Sequence, residues 1–295
     1  MKTVLLVNLG TPSAPTPEAV RAYLAEFLSD RRVVNLPRLL WLPILHGIVL
    51  RTRPAKSAEK YKLVWTPEGS PLAFHTARQA RLLAEKTGWK VDYAMRYGEP
   101  SIASRWTKGA LTVPLYPQFS FSTTESVLDV VPDPARVVRE FHQHPAYISA
   151  LAASVRSYWA QHGESGKLVM SFHGLPQRSV DLGDPYQAQC LATARLLAAA
   201  LDKKDYLVTF QSRFGAAKWL QPYTEPTLVE LARSGVRSVD VICPGFVSDC
   251  LETLEEIDIG ARHAFLSAGG EAFHYIPCLN ESPEWIEALA EIVRG

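Results

Sequence analysis

Short aliphatic runs alternate with helix-length stretches along the whole 295-residue chain, and this alternation is the strongest constraint on its fold. Candidate strands lie at residues 4–8 (VLLVN), 91–97 (VDYAMRY), 111–116 (LTVPLY), 136–141 (RVVREF), a run ending at His173 (KLVMSFH), 206–210 (YLVTF), 239–243 (VDVIC) and 272–276 (AFHYI). Most are separated by segments of helical period, among them 17–28, 74–87, 146–162, 185–201 and 224–234. A strand that returns through a crossover helix pairs parallel to its predecessor, so the sheets should be mainly parallel. About four strands fall in each half. The reading is therefore an α/β protein of two similar Rossmann-like halves, residues 1–145 and 146–295, each a mainly parallel sheet flanked by helices, with a cleft between them.

Bulk properties narrow the function. Thirty-one basic residues balance 30 acidic ones, for a net charge of +1, and no basic run occurs, so there is no electrostatic footprint for nucleic acid. Cys190, Cys243, Cys250 and Cys278 are scattered without a C-x-x-C and read as reduced thiols of a cytoplasmic protein. The dinucleotide, P-loop, zinc-protease and nucleophile-elbow motifs are all missing. The opening MKTVLLVNLG has too short an apolar run for a signal peptide and reads as a first strand. Residues 36–50 (LPRLLWLPILHGIVL) are unusually apolar, but Pro37, Arg38, Pro43 and His46 interrupt them too often for a bilayer-spanning helix. They form either a core helix or an exposed apolar lip that admits a greasy ligand or touches a membrane.

Two stretches carry candidate chemistry. In KLVMSFHGLP, His173 stands at the carboxyl end of a buried strand, where open α/β sheets bind ligands. Its imidazole moves protons or holds a metal near neutral pH, although a histidine here also serves as a hydrogen-bonded core residue. In SDCLETLEEI, Asp249 and Glu252 have capping-box spacing, and Glu255 and Glu256 lie about a turn further on. The acids form either a helix cap with a solvated face, or a ridge along a cleft wall that accepts protons or guides a divalent cation. The H-x-H pair His142 and His144 is a weak metal signal.

The order and spacing of further motifs resemble the ferrochelatases, which insert ferrous iron into a porphyrin at the end of haem synthesis. They are LLVNLGTP (5–12), YLAEFLSD (23–30), GSP (69–71), AMRYG (94–98), PLYPQ with STT (114–124), SFHGLP (171–176), GDPY (183–186), FQSRFG (210–215), WLQPYT (219–224) and SDCLETLEEID (248–258). The resemblance implies two Rossmann-like halves flanking a porphyrin cleft. It assigns His173 and Glu252 as catalytic, metal-handling residues on opposite sides of the macrocycle, with Glu256 and Asp249 as an acidic relay. Leu9, Arg96 and Tyr97 match pocket residues near the macrocycle. Arg53, Tyr61 and Ser70 match positions near the propionates, Trp219 a pocket wall, and residues 36–50 the family's apolar lip.

The implied substrates are ferrous iron and protoporphyrin. Coproporphyrin and a non-catalytic tetrapyrrole carrier are the alternatives, and the intact His173 and Glu252 argue against a carrier. No cofactor is required on this reading. An iron–sulfur cluster is not expected, because Phe121 stands at a ligand position of the cluster-bearing members and the chain stops at Gly295. Cys250 replaces a histidine of some members, so that side chain's role does not transfer. A cytoplasmic enzyme touching a membrane through residues 36–50 is expected, with the oligomeric state left open. One departure concerns the first half, where residues 98–110 leave little room for a crossover helix and residues 127–135 look clipped.

Overall fold

Leu5, Leu6 and Val7 lie buried on both faces of β1 (Thr3–Gly10), the central strand of the first unit. The computed structural model describes residues 2–215 and 217–295, which divide into two compact units, Met1–Glu140 and Phe141–Gly295. In the first unit, α1 (Pro17–Ser29) starts where expected: the Thr16 hydroxyl accepts the Ala19 amide at 3.3 Å and Pro17 fills the first helical position. Val20, Tyr23, Leu24 and Leu28 face inward. The apolar stretch then forms α2 (Arg38–Ile44), a five-residue π turn (Leu45–Val49) and the start of α3 (Leu50–Val64). The Trp41 indole donates to the Leu28 carbonyl at 2.7 Å and ties this stretch to α1. Leu39 nevertheless stays 91% exposed and Leu40 65%.

After α4 (Pro71–Thr87), β2 (Lys90–Tyr97) and β3 (Leu111–Pro114) pair parallel to β1 in the order β2-β1-β3. Between them, α5 (Ile102–Arg105) has only four residues, in keeping with the little room that residues 98–110 leave for a crossover helix. Beyond α6 (Thr124–Leu128), residues 136–141 do not form the expected fourth strand. Pro134–Arg136 is a 3-10 turn, and contact with the sheet is one bridge, Val137 to Thr112, with the Val138 amide on the Thr112 carbonyl at 2.9 Å. Val137, Val138 and Phe141 are the apolar residues there, and Phe141 packs on Tyr147 and Trp285 instead of extending the sheet. Arg136, Arg139 and Glu140 are not suited to a buried edge, and Arg139 turns to Glu125 instead.

The second unit has the four strands read from its sequence. After α7 (Pro145–His162) come β4 (Lys167–His173), α8 (Gln177–Asp181), α9 (Tyr186–Ala200), β5 (Tyr206–Gln211), α10 (Thr224–Arg233) and β6 (Ser238–Ile242). A ten-residue π-helix (Glu252–Ala261), α11 (Arg262–Ser267), β7 (Ala272–Ile276) and α12 (Pro283–Arg294) complete it. All four strands are parallel, in the order β5-β4-β6-β7. Val169, Val239, Val241, Leu228, Phe265 and Phe273 close the core on one side of the sheet. Phe141, Tyr147 and Trp285 stack edge to face and tilted elsewhere in the unit.

The helix after Cys250 differs from its sequence reading in two ways. Its i→i+5 ladder turns less per residue than an α-helix, so the four-residue spacing of Glu252 and Glu256 comes closer to a full turn than the three-residue spacing of Glu255. The capping box does not form. The Asp249 amide donates to Asn280 Oδ1 at 2.9 Å, and its carboxylate accepts from Thr253, Tyr275 and Asn280. Asp249 is a buried anchor for the start of the helix, held by β7 and the loop after it.

Candidate active site at the strand ends

His173 closes β4 half-buried, directly opposite Gln211, the last residue of β5. Its Nδ1 lies 2.6 Å from the Gly174 carbonyl oxygen. A carbonyl only accepts, so Nδ1 is the donor here and Nε2 is the ring nitrogen left for chemistry. The next residue has to be glycine. Its amide donates to the Gln211 carbonyl at 2.7 Å, and a Cβ would sit 2.5 Å from that oxygen and 3.3 Å from the Trp219 ring. Trp219 reaches this turn by bridging to Pro176, and its indole donates to the Phe214 carbonyl at 2.8 Å. Phe246 flanks the imidazole with ring centres 6.3 Å apart.

The end of β5 grips the π-helix. Gln211 Oε1 accepts from Ser171 at 2.7 Å, and Nε2 donates to the Glu252 carbonyl at 2.8 Å. Ser212 sits at φ 65°, in the left-handed region, and its amide donates to Glu256 Oε1 at 2.6 Å while its hydroxyl donates to Oε2. Burial pushes the Glu256 carboxyl above the usual glutamate range and the Glu252 charge adds to the rise, while the Ser212 bonds and the His173 charge oppose it. His173, Glu252 and Glu256 thus share one electrostatic neighbourhood at the ends of β4 and β5. A cavity of about 230 Å³ adjoins Glu256, lined in part by Ser212, Arg213, Tyr223 and Glu225. Cys250 is buried, and burial first, then Glu252, raises its thiol well above the ordinary value, so it is a neutral packing group. All four cysteines are buried and free. Among the described residues no three or more His, Cys, Asp or Glu side chains group as a metal cage.

In the first unit Leu9, Arg96 and Tyr97 lie at the ends of β1 and β2, Ser70 just before α4, and Arg53 and Tyr61 on α3. Leu9 precedes Gly10 at the end of β1, with its amide on Asn8 Oδ1 at 2.9 Å. Gly10 has φ 115° and lies against β2 so closely that a Cβ would sit 1.8 Å from the Tyr97 carbonyl oxygen. Thr11 donates to Ser70 at 2.8 Å, which places Ser70 beside this turn. Arg96 donates to Asp30 Oδ2 at 2.6 Å and to the Ser126 hydroxyl at 2.7 Å. Tyr97 is fully buried and donates to Asp30 at 2.8 Å. Arg53 and Tyr61 share α3, where burial lowers the Arg53 pKa and the Tyr61 charge counters it.

Gln211, Ser212 and Asp30 were not singled out from sequence. FQSRFG and YLAEFLSD contain them, and the polar residue closing each apolar run was the available signal.

A sequence model described as ferrochelatase matches residues 1–295. The ferrochelatase of Aromatoleum aromaticum is 58% identical over 317 residues, covering 99% of this chain and 87% of the relative. That of Polaromonas sp. strain JS666 is 58% identical, covering 98% and 85%, and that of Bordetella pertussis is 54% identical, covering 98% and 86%. The chain belongs to the ferrochelatase family. It is a metal chelatase, an enzyme that inserts a metal into a porphyrin in haem biosynthesis.

The fold is also that of solved chelatases. CbiX, a terminal enzyme of sirohaem biosynthesis in denitrifying bacteria, aligns with a TM-score of 0.56 at 14% identity, covering 100% of this chain and 98% of its own. SirB from Bacillus subtilis with Fe3+ aligns at 0.53 and 13% identity, covering 100% and 95%. The 317-residue alignment exceeds this chain's 295 residues, so that ferrochelatase carries internal segments the chain lacks.

Proposed function

We propose that the chain inserts ferrous iron into protoporphyrin, with His173 and Glu252 as the reacting groups and Glu256 and Asp249 behind them. The observation that carries this reading is the convergence, at the ends of β4 and β5, of an imidazole whose Nε2 is left for chemistry and a carboxyl that burial raises above the usual glutamate range. Iron enters as Fe2+ and the two pyrrole N–H protons leave, so the site must accept two protons while the macrocycle nitrogens take the metal. His173 Nε2 accepts one. Glu252 accepts the other and passes it along the π-helix to Glu256, whose carboxyl, raised by burial above the usual glutamate range, is a better proton acceptor than an ordinary glutamate. Asp249 anchors the helix start that aims Glu252. In the first unit Leu9 and Arg96 meet the macrocycle, Tyr97 is fully buried and supports Arg96 from behind rather than touching the ring, and Arg53, Tyr61 and Ser70 meet the propionates; in the second unit Trp219 walls the turn after His173. The iron is substrate, and no resident cofactor is needed.

The lip supports the more apolar porphyrin. Leu39, Leu40, Ile44 and Ile48 are all exposed along one short stretch, with Arg38 and Arg51 at its ends. This surface suits docking on a lipid surface from the cytoplasm and taking up a substrate that partitions there. No helix among the described residues is long and apolar enough to cross a membrane.

The test is a competition under anaerobic conditions, with equal protoporphyrin and coproporphyrin, limiting ferrous iron and chromatographic separation of the products. A dominant protohaem product is expected. Dominant coprohaem would overturn the substrate assignment, and porphyrin binding without either product would make the chain a carrier.

A further inference from the structure

We propose that Ser212 is a positioning residue of the insertion reaction: it fixes the Glu256 carboxylate one turn from Glu252 and against the side cavity. This rests on the role given to Glu256 above. Three observations carry it. First, Ser212 has φ 65°, a backbone state uncommon for residues other than glycine, asparagine and aspartate, and such strain persists where surrounding structure enforces it. Second, that state lets one residue address both oxygens of one carboxylate, with the amide on Oε1 and the hydroxyl on Oε2. Two bonds to the two oxygens fix the rotation of a carboxylate, which a single bond leaves free. Third, the preceding residue holds the previous turn of the same helix, since Gln211 Nε2 donates to the Glu252 carbonyl at 2.8 Å. Gln211-Ser212 is therefore a two-residue clip across successive turns of the π-helix. It extends β5, whose partner β4 carries His173, so strand pairing, clip and helix fix His173, Glu252 and Glu256 relative to one another.

A glycine would adopt the Ser212 backbone without strain and keep the amide bond to Glu256. What it lacks is the hydroxyl, so Ser212→Gly separates positioning from folding. A purely structural serine predicts a variant with unchanged or raised Tm and the parent's rate. The positioning role predicts Tm at or above the parent's, porphyrin KM within about twofold, and kcat lower by roughly tenfold, the scale of one lost bond to a charged group.

The decisive comparison is the double-mutant cycle. If Ser212 acts through Glu256, Ser212→Gly combined with Glu256→Gln is no slower than Glu256→Gln alone. Amide hydrogen exchange provides a second readout: the peptide spanning 252–261 exchanges faster in Ser212→Gly than in the parent, while β4 is unchanged. Parent-like kcat in Ser212→Gly, multiplying effects in the cycle, or unaltered exchange over 252–261 would each overturn the proposal. A parent-like rate in Glu256→Gln is a different failure. It removes the role given to Glu256, and with it any part for Ser212 in the reaction.

Discussion

Replacing His173 with alanine removes the one imidazole at the end of β4, and insertion should fall by at least about a hundredfold, the scale of a positioned acid–base group. Porphyrin affinity, measured by fluorescence quenching, should change little, and near-normal turnover would exclude the residue from the chemistry. Glu252→Gln distinguishes the two sequence readings of that acid. Its carboxylate makes no capping box, because the Asp249 amide is already bonded to Asn280, so the substitution should cripple insertion and leave Tm nearly unchanged. A fall in Tm with intact turnover would restore the capping role.

How far single residues could be read from sequence followed from what each needs. His173 and Gly174 end an apolar run, and their place at a strand tip follows from that pattern alone. Ser212 does not, because its role depends on a left-handed backbone and on a helix 44 residues further along the chain, neither of which leaves a local trace. Asp249 misled for the opposite reason. Its local spacing fits a cap, but partners on β7 and the following loop claim its hydrogen bonds.

At the scale of elements, Asp30 joins the end of α1 to β2 and α6. Burial alone would raise its carboxyl, but bonds from the Arg32 amide, Ser126 and Tyr97, with the Arg96 charge, hold it below the ordinary 3.8. A depressed folded pKa stabilises above the unfolded value, and that stability is lost as pH falls through the folded one. Asp30→Ala leaves Arg96 without its partner in a site where the two side chains are only 12% and 14% exposed, and should cost about 3–5 kcal/mol at pH 7. Urea unfolding at pH 7 and pH 3 should show the gap between parent and variant narrowing at the lower pH. A constant gap would mean the carboxylate charge contributes nothing.

The strands of the second unit were legible because each is a short apolar run bounded by turn residues. The stretch 136–141 was not, since its two valines stand among charged residues and its Phe141 packs with Tyr147 and Trp285 instead, leaving too little burial to hold a strand. The π ladder was also out of reach, because the same apolar spacing serves an α-helix and local sequence does not count an extra residue per turn.

At the scale of the molecule, the alternation of strand and helix specified two parallel-sheet units, and the shortened first unit keeps its three strands with only a four-residue helix in one crossover. The apolar lip belongs to the same scale, because Leu39 and Leu40, unlike the buried Leu45 and Leu50, stay largely outside the core. Replacing both Leu39 and Leu40 with glutamate removes two exposed apolar side chains, each worth about 1.5–3 kcal/mol if buried in lipid. Sedimentation with anionic vesicles should fall more than tenfold while Tm is unchanged, and retained sedimentation would place the contact elsewhere.

The most direct measurement mixes the purified protein anaerobically with protoporphyrin and ferrous iron and follows absorbance, for the parent and for His173→Ala side by side. The account predicts multiple turnovers to the protohaem spectrum by the parent, and bound, unconverted porphyrin with the variant. Bound porphyrin left unconverted by the parent, or equal conversion by both, would contradict it.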